Sequence, residues 1–166
     1  MRRLIDATNL KAGRLASSVA KSALNGDTIV IVNSEKAVIT GNQATTKRDY
    51  LEKQDIGSRY QGPFAPKKAD RILKRTIRGM LPYKKTSGAN AFKRITTYLG
   101  VPLEFENAKF ETVEGAKIIG VEKRKYITLE KLSHRVGGKP MQTLSVAPAV
   151  AKKSRVKEGK AERAKE

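Results

Sequence analysis

The residues whose types and spacing most clearly suggest chemistry are basic residues in the middle of the chain. Arg71, Arg75 and Arg78 recur at intervals of four and three residues, which puts them on one side of a helix. A guanidinium group presents several N–H donors in a planar fork, and this fork matches the oxygens of a phosphate group. The spacing therefore predicts a helical surface that binds phosphates.

The charge balance points to the same chemistry. The chain has 35 lysines and arginines against 16 aspartates and glutamates, a formal net charge of +19. Residues 67–94 hold 10 of the basic side chains and a single acidic one, Asp70. Surface helices that serve only solubility usually mix the two signs. The local excess therefore favours a polyanionic partner, of which nucleic acid is the commonest.

Enzymatic chemistry finds little support in the sequence. His134 is the only histidine, and there are no cysteines. This composition excludes a histidine-based triad, a metal site with several histidines and a thiolate zinc site within the chain. The glycine-rich phosphate loops of nucleotide-binding proteins are also missing. We therefore predict a protein that is not an enzyme, with no catalytic residue, metal, cofactor or small-molecule substrate.

The sequence also lacks the pattern of a membrane protein. No apolar run approaches the roughly 20 residues of a membrane-spanning helix. The basic start of the chain is followed by Asp6 before any apolar stretch, unlike the start of a signal peptide. We expect a cytoplasmic protein without a membrane partner.

The elements that must position the basic residues follow an α/β pattern. Residues 3–7 and 28–32 predict strands, and residues 12–25 between them repeat apolar side chains at helical spacing. Two strands joined by a helix are expected to lie parallel, with a right-handed crossover. Residues 37–41 predict a third strand, and residues 45–54 predict a polar helix.

The basic segment predicts an amphipathic helix over residues 67–81. Pro66 is suited to open this helix and Pro82 to end it. Its predicted apolar side consists of Ala69, Ile72, Leu73, Thr76, Ile77, Met80 and Leu81. A helix of this kind packs one side on a core and offers the other side to phosphates.

The rest of the chain is less regular. It predicts a helix over residues 89–99, an extended loop over residues 103–116 and a fourth strand over residues 117–121. A short helix is predicted over residues 126–136. Residues 147–166 lack apolar periodicity and predict a basic C-terminal tail that is disordered or becomes helical on contact.

RNA is favoured over DNA as the polyanion. The sequence has no helix-turn-helix spacing, zinc finger or zipper heptad. Its basic residues are spread over several elements, which suits an irregularly folded RNA. The aromatic residues Tyr60, Phe64, Tyr83 and Phe92 lie near the basic segment and could stack on bases, although Phe92 fits a core position better.

Several motifs, taken in order, resemble one known family. Residues 72–82 have the sequence ILKRTIRGMLP, residues 6–8 DAT, residues 13–17 GRLAS and residues 93–102 KRITTYLGVP. Residues 31–41 contain IVNSEK followed by ITG. This ordered set, within about residues 3–140, resembles the ribosomal protein L13 (uL13) family of the large subunit. Residues 62–66 (GPFAP) and 132–137 (LSHRVG) are similar to its archaeal and eukaryotic branch.

The resemblance implies a three-layer α/β/α fold around a four-stranded parallel sheet, formed by residues 1–146. It also implies a non-catalytic constituent of the ribosome that binds large-subunit rRNA, contacts neighbouring ribosomal proteins and supports subunit assembly. The helix end at Arg75, Arg78 and Gly79, with the loop through Lys84 and Lys85, is then the expected centre of the contact. Two alternatives stay open: a free-standing RNA-binding regulator of translation and an enzyme that uses the parallel sheet to bind a nucleotide.

Residue types, spacing and resemblance together define one set of candidate RNA-binding residues. The set consists of Arg2, Arg3, Lys11, Arg14, Arg59, Tyr60, Lys67, Lys68, Arg71, Lys74, Arg75, Arg78, Gly79, Tyr83, Lys84, Lys85, Lys93, Arg94, His134 and Arg135.

Overall fold

The computed structural model describes residues 1–58, 60–118 and 125–138, and it confirms an α/β fold. The chain opens with strand β1 (Arg2–Asp6), helix α1 (Ala12–Leu24) and strand β2 (Thr28–Val32). β1 and β2 pair in parallel, with Ile5 opposite Ile31. The predicted β-α-β unit is therefore confirmed.

The third strand of the parallel sheet comes from a segment predicted to be helical. Strand β4 (Ile95–Thr97) pairs in parallel with β2, which lies between β1 and β4. The helix predicted over residues 89–99 is wrong in its second half, since helix α4 covers Thr86–Lys93 and ends before β4. The β-branched residues of β4 favour extended backbone. The Ile29 N–H also donates to the Arg94 carbonyl at 3.0 Å, which fixes the strand against β2.

A separate two-stranded sheet accounts for the predicted third strand. Strand β3 (Val38–Thr40) pairs antiparallel with strand β5 (Tyr126–Thr128) and does not extend the parallel sheet. A four-stranded parallel sheet is thus not confirmed by the described residues. Of the predicted strand 117–121, Lys117 forms an isolated bridge to Leu10, and residues 119–121 lie outside the described residues.

The remaining helices lie close to their predicted positions. Helix α2 covers Gln43–Asp55 and buries no residue, as a polar helix should. Helix α3 covers Ala69–Gly79, so its first turn starts three residues after Pro66, and the prediction that Pro66 opens it is wrong. Helix α5 covers Leu129–Arg135 and starts later than predicted because residues 126–128 form β5. The Thr128 hydroxyl accepts the Lys131 N–H at 3.4 Å and caps α5.

The two faces of the parallel sheet are covered differently. On one face, Ile5, Ile29 and Ile31 pack with buried side chains of α1, α3, α4 and α5 in one large cluster. On the other face, Val30 and Val32 pack with Phe105, with partial cover from Leu4, Tyr98, Ala108 and Phe110. A 3-10 turn (Leu103–Phe105) and extended chain therefore cover this second face, where the three-layer expectation called for helices.

Candidate nucleic-acid interface

Helix α3 presents a buried side and a basic side. Ala69, Ile72, Leu73 and Ile77 are buried, and the last two are fully inaccessible to solvent. On the outer side Arg71 and Arg75 are exposed, while Lys74 and Arg78 are half-buried. We call these four basic residues the α3 surface. Met80, predicted to face the core, is 43% exposed. Because its apolar side is locked into the core, the helix cannot turn its cations away from solvent.

The basic groups of the α3 surface lie against aromatic rings and a carbonyl. The Arg78 guanidinium carbon is 5.1 Å from the centre of the Tyr83 ring, and the Lys74 Nζ is 5.2 Å from that of Phe92. The Arg75 Nη1 donates to the Phe64 carbonyl at 3.5 Å. Such contacts orient the side chains but leave their charge unneutralised.

Within the described ranges, no carboxylate pairs with the α3 surface. The ion pairs found there join the Met1 amino group to Asp27, Arg3 to Glu111 and Arg48 to Glu52. Asp70 lies on α3 itself but is within salt-bridge distance of none of these cations. Four positive charges on one rigid helix therefore remain available for an external anion.

Helix α2 packs next to α3 through Tyr50. This half-buried side chain packs against the main core and lines a small cavity with Arg75 and Thr76. Burial raises the pKa of the Tyr50 hydroxyl, although a hydrogen bond with the Thr76 side chain and the charge of Arg75 oppose that rise. Tyr50 is therefore a neutral packing residue at physiological pH.

The loop that follows α3 is held in place by Gly88. Tyr83, Lys84 and Lys85 are exposed there. Gly88 is buried, and a β-carbon at that position would collide with the Pro82 carbonyl. The close approach of α4 to this loop thus fixes the lysines next to the end of α3.

The residues at the start of α3 are tied to α5. The buried Ser133 hydroxyl donates to the Lys67 carbonyl at 2.6 Å. Lys67 and Lys68 are exposed, as are His134 and Arg135 near the end of α5. This hydrogen bond joins the start of α3 to α5.

The predicted arginines of the N-terminal region have partners within the protein. Arg3 donates to Glu111 Oε2 at 2.7 Å and 2.9 Å and to the Ser22 hydroxyl at 3.0 Å. Arg14 donates to the Gly115 carbonyl at 3.1 Å, and the Arg2 guanidinium lies 5.0 Å from the Phe105 ring centre. These contacts tie β1 and α1 to residues 105–115.

The other predicted residues are more dispersed. Lys93 and Arg94 are exposed, with Arg94 Nη1 3.4 Å from the Ala23 carbonyl at the end of α1. Lys11 is half-buried, and its N–H donates to the Ala116 carbonyl at 2.8 Å. Tyr60 is 81% exposed, and Arg59 lies outside the described residues.

Gly79 ends α3 in the open. A β-carbon added there would meet no atom within 4 Å. The described residues thus give no steric reason for a glycine at this position.

The structure has a basic cleft beside α2 that the sequence did not predict. Lys47 and Arg48 of α2 line it together with Lys125 and Arg135. Helix α2 also carries Asp49, Glu52 and Asp55, so its local charge is balanced and gave no signal. Only the tertiary fold brings Lys125 and Arg135 to the same place.

No group of three or more His, Asp or Glu side chains in the described ranges could hold a metal ion. None of the helices described is both long enough and apolar enough to cross a membrane.

Comparison with known proteins places these features in a family. Residues 1–104 match the family model described as "Ribosomal protein L13". A protein of Methanosarcina barkeri named "Large ribosomal subunit protein uL13" is 50% identical over 137 residues, which are 82% of this chain and 98% of the relative. Proteins of the same name from Methanococcoides burtonii and Archaeoglobus fulgidus are each 46% identical, over 82% and 81% of this chain and 98% and 86% of the relatives. The chain belongs to the ribosomal protein L13 family.

Proposed function

We propose that this protein is a structural constituent of the large ribosomal subunit and binds large-subunit rRNA through the α3 surface and the loop through Lys84 and Lys85. The observation that carries the proposal is the set of four basic residues on a rigid helix without a carboxylate partner in the described ranges. Relatives that match most of this chain bear the name of a large-subunit protein. The protein acts in the cytoplasm, within the ribosome, and catalyses no reaction.

The physical basis of this binding is counterion release from RNA. Each phosphate that a lysine or arginine neutralises frees condensed cations, so the affinity is high at low salt and falls as salt rises. The α3 surface suits this role because its helix is already ordered by Leu73 and Ile77 in the core. Little conformational entropy is then lost on binding.

The remaining parts of the chain extend the contact. In our proposal residues 1–146 contain the RNA-binding domain. The basic residues among 147–166, which lie outside the described residues, add contacts to RNA or to a neighbouring ribosomal protein. Lys67, Lys68, His134 and Arg135 contact RNA on the α5 side of α3. Binding to several rRNA segments at once supports assembly of the subunit.

Co-sedimentation in a cell lysate tests the proposal. We expect the protein to travel with the large subunit across a sucrose gradient at low salt and to remain there at moderate salt. If it stays in the light fractions under both conditions, the ribosomal proposal is wrong, and a free-standing RNA-binding regulator of translation takes its place.

A further inference from the structure

A cleft lies beside the α3 surface, between α3 and the segment that precedes it. Phe64 and Pro66 form one wall, and all four basic residues of the α3 surface line it. The Phe64 side chain is 73% exposed. An exposed aromatic ring next to four cations offers a flat apolar face to a ligand whose negative charge the cations attract.

The Phe64 ring lies beside the backbone of Gly62. The backbone of Gly62 has φ +82°, and a β-carbon there would lie 3.1 Å from Phe64 Cδ2 and 3.2 Å from Phe64 Cε2. The ring therefore rests against the glycine backbone. Arg75 also donates to the Phe64 carbonyl from α3. The ring is thus a platform with backbone on one side and most of its surface open to a flat ligand.

Charges in the cleft are segregated. Arg71 and Arg75 lie on the exposed side of α3. Asp70, the one acidic residue of the lining, has its Oδ1 buried without a hydrogen-bond partner among the described residues. The Thr97 hydroxyl donates to the Asp70 carbonyl at 3.3 Å and closes the inner end beside β4. A phosphate is attracted to the outer cations and repelled by the inner carboxylate, so the inner part favours an uncharged group.

We propose that this cleft binds an unpaired base extruded from the RNA, with the base stacked on Phe64 and its flanking phosphates on Arg71 and Arg75. The inference rests on the proposed function, because it names the part of the RNA that the α3 surface recognises. Stacking on aromatic side chains and charge contacts to the backbone are the usual means by which proteins hold unpaired nucleotides. An acidic protein segment is the competing occupant, and it requires apolar bulk at position 64 but no ring.

The absence of tryptophan from the chain allows a direct test. In the full-length protein, Phe64→Trp introduces a single indole fluorophore at the platform, and Leu103→Trp introduces one at a similarly exposed position on the second face of the sheet. Each variant is titrated with three RNA hairpins: one with a single bulged nucleotide, one with an abasic site at the bulge and one fully paired.

We expect the bulged hairpin to quench the indole fluorescence of the Phe64→Trp variant strongly. It should also bind this variant about tenfold more tightly than the abasic hairpin, as one stacked base would give. The indole fluorescence of the Leu103→Trp variant should respond alike to all three hairpins. Equal quenching of the Phe64→Trp variant by the three hairpins would overturn the inference.

Two substitutions separate stacking from other contacts. Phe64→Ala and Phe64→Leu should both remove the preference for the bulged hairpin, because neither has a ring. If Phe64→Leu keeps the preference, the contact is merely apolar and the inference is wrong.

RNA binding by the native chain distinguishes a wrong base-binding cleft from a wrong RNA-binding proposal. If the native chain binds all three hairpins alike and Phe64→Ala changes nothing, only the base-binding cleft is wrong. If the native chain binds none of them, the RNA-binding proposal is wrong as well.

Discussion

The arginines of β1 and those of α3 differ in what surrounds them. Arg3 on β1 forms two hydrogen bonds with Glu111 and one with Ser22. Arg75 on α3 has one long hydrogen bond to a carbonyl and no carboxylate partner in the described ranges. Arginine thus connects distant parts of the chain at β1, whereas on α3 it keeps its charge available for a ligand. Partners within the protein, more than residue type, indicate which basic residues keep charge available for a ligand.

The largest expected effect comes from reversing charge on the α3 surface. Arg75→Glu combined with Arg78→Glu should weaken binding to a large-subunit rRNA fragment by about 3 kcal/mol or more, because repulsion replaces attraction to phosphate. The melting temperature should change little, since neither arginine is part of an ion pair in the described ranges. Filter binding and thermal denaturation measure the two effects.

A matched control for that variant changes net charge by the same amount elsewhere. Lys21→Glu combined with Lys109→Glu reverses two exposed lysines away from α3. If this pair weakens RNA binding as much, the effect is one of net charge, and the α3 surface has no special role. An unfolded α3 variant would instead make Arg75 and Arg78 structural residues.

Alanine substitutions on β1 and on α3 should affect different properties, protein stability on β1 and RNA binding on α3. Arg3→Ala should lower the free energy of unfolding by about 1 kcal/mol or less, because a partly exposed ion pair and its hydrogen bonds are lost. Arg71→Ala should leave stability unchanged and reduce the slope of log affinity against log salt by about 1. Urea unfolding and binding at several salt concentrations measure these values. The comparison breaks if Arg3→Ala reduces the salt slope as much as Arg71→Ala.

Substitution of Gly79, at the end of α3, should change protein stability and RNA affinity in opposite directions. Gly79→Ala should raise the free energy of unfolding by about 0.5 kcal/mol, because alanine favours a helix and meets no atom within 4 Å. RNA binding should weaken a few-fold if the RNA backbone passes close to this position. Stabilisation with unchanged RNA affinity would show that no close approach requires the glycine.

The smallest expected effect concerns the end of β1. Burial alone would raise the pKa of Asp6, but hydrogen bonds from the Asn33 amide and from the Thr8 hydroxyl and N–H outweigh it and place the pKa below 3.8. The stabilisation is present above the unfolded value near 3.8 and is lost as pH falls through the lower folded value. Unfolding between about pH 5 and pH 2 should therefore be less pH-dependent in Asp6→Asn than in the native chain. Equal pH dependence in both would rule out this role.

Short-range sequence patterns predicted the helices and strands that have a regular apolar spacing of their own. The apolar spacing of α1 and α3 and the β-branched run of β2 identified these elements within a few residues. The apolar spacing of residues 95–97 continues that of α4 and so predicts a helix, whereas pairing with β2 makes them a strand. A strand of three residues has too little pattern to reveal itself without its partner.

The candidate site was predictable to a similar extent. The two sides of α3 follow from its sequence, apart from Met80. The pairing of Arg3 does not, because Glu111 lies 108 residues away along the chain. The basic cleft beside α2 also required the fold, since Lys47 and Arg135 lie far apart along the chain.

The unequal cover of the sheet sets a gradient of local stability across the molecule. Residues 98–110 protect the second face with few buried side chains, whereas four helices share the large cluster behind α3. Segments with few buried contacts open at lower free energy than the core. Amide hydrogens of residues 99–110 should therefore exchange with deuterium long before those of β2 or of the inner turns of α3. The protein can loosen this one side in transient openings while the helix that carries the α3 surface stays formed.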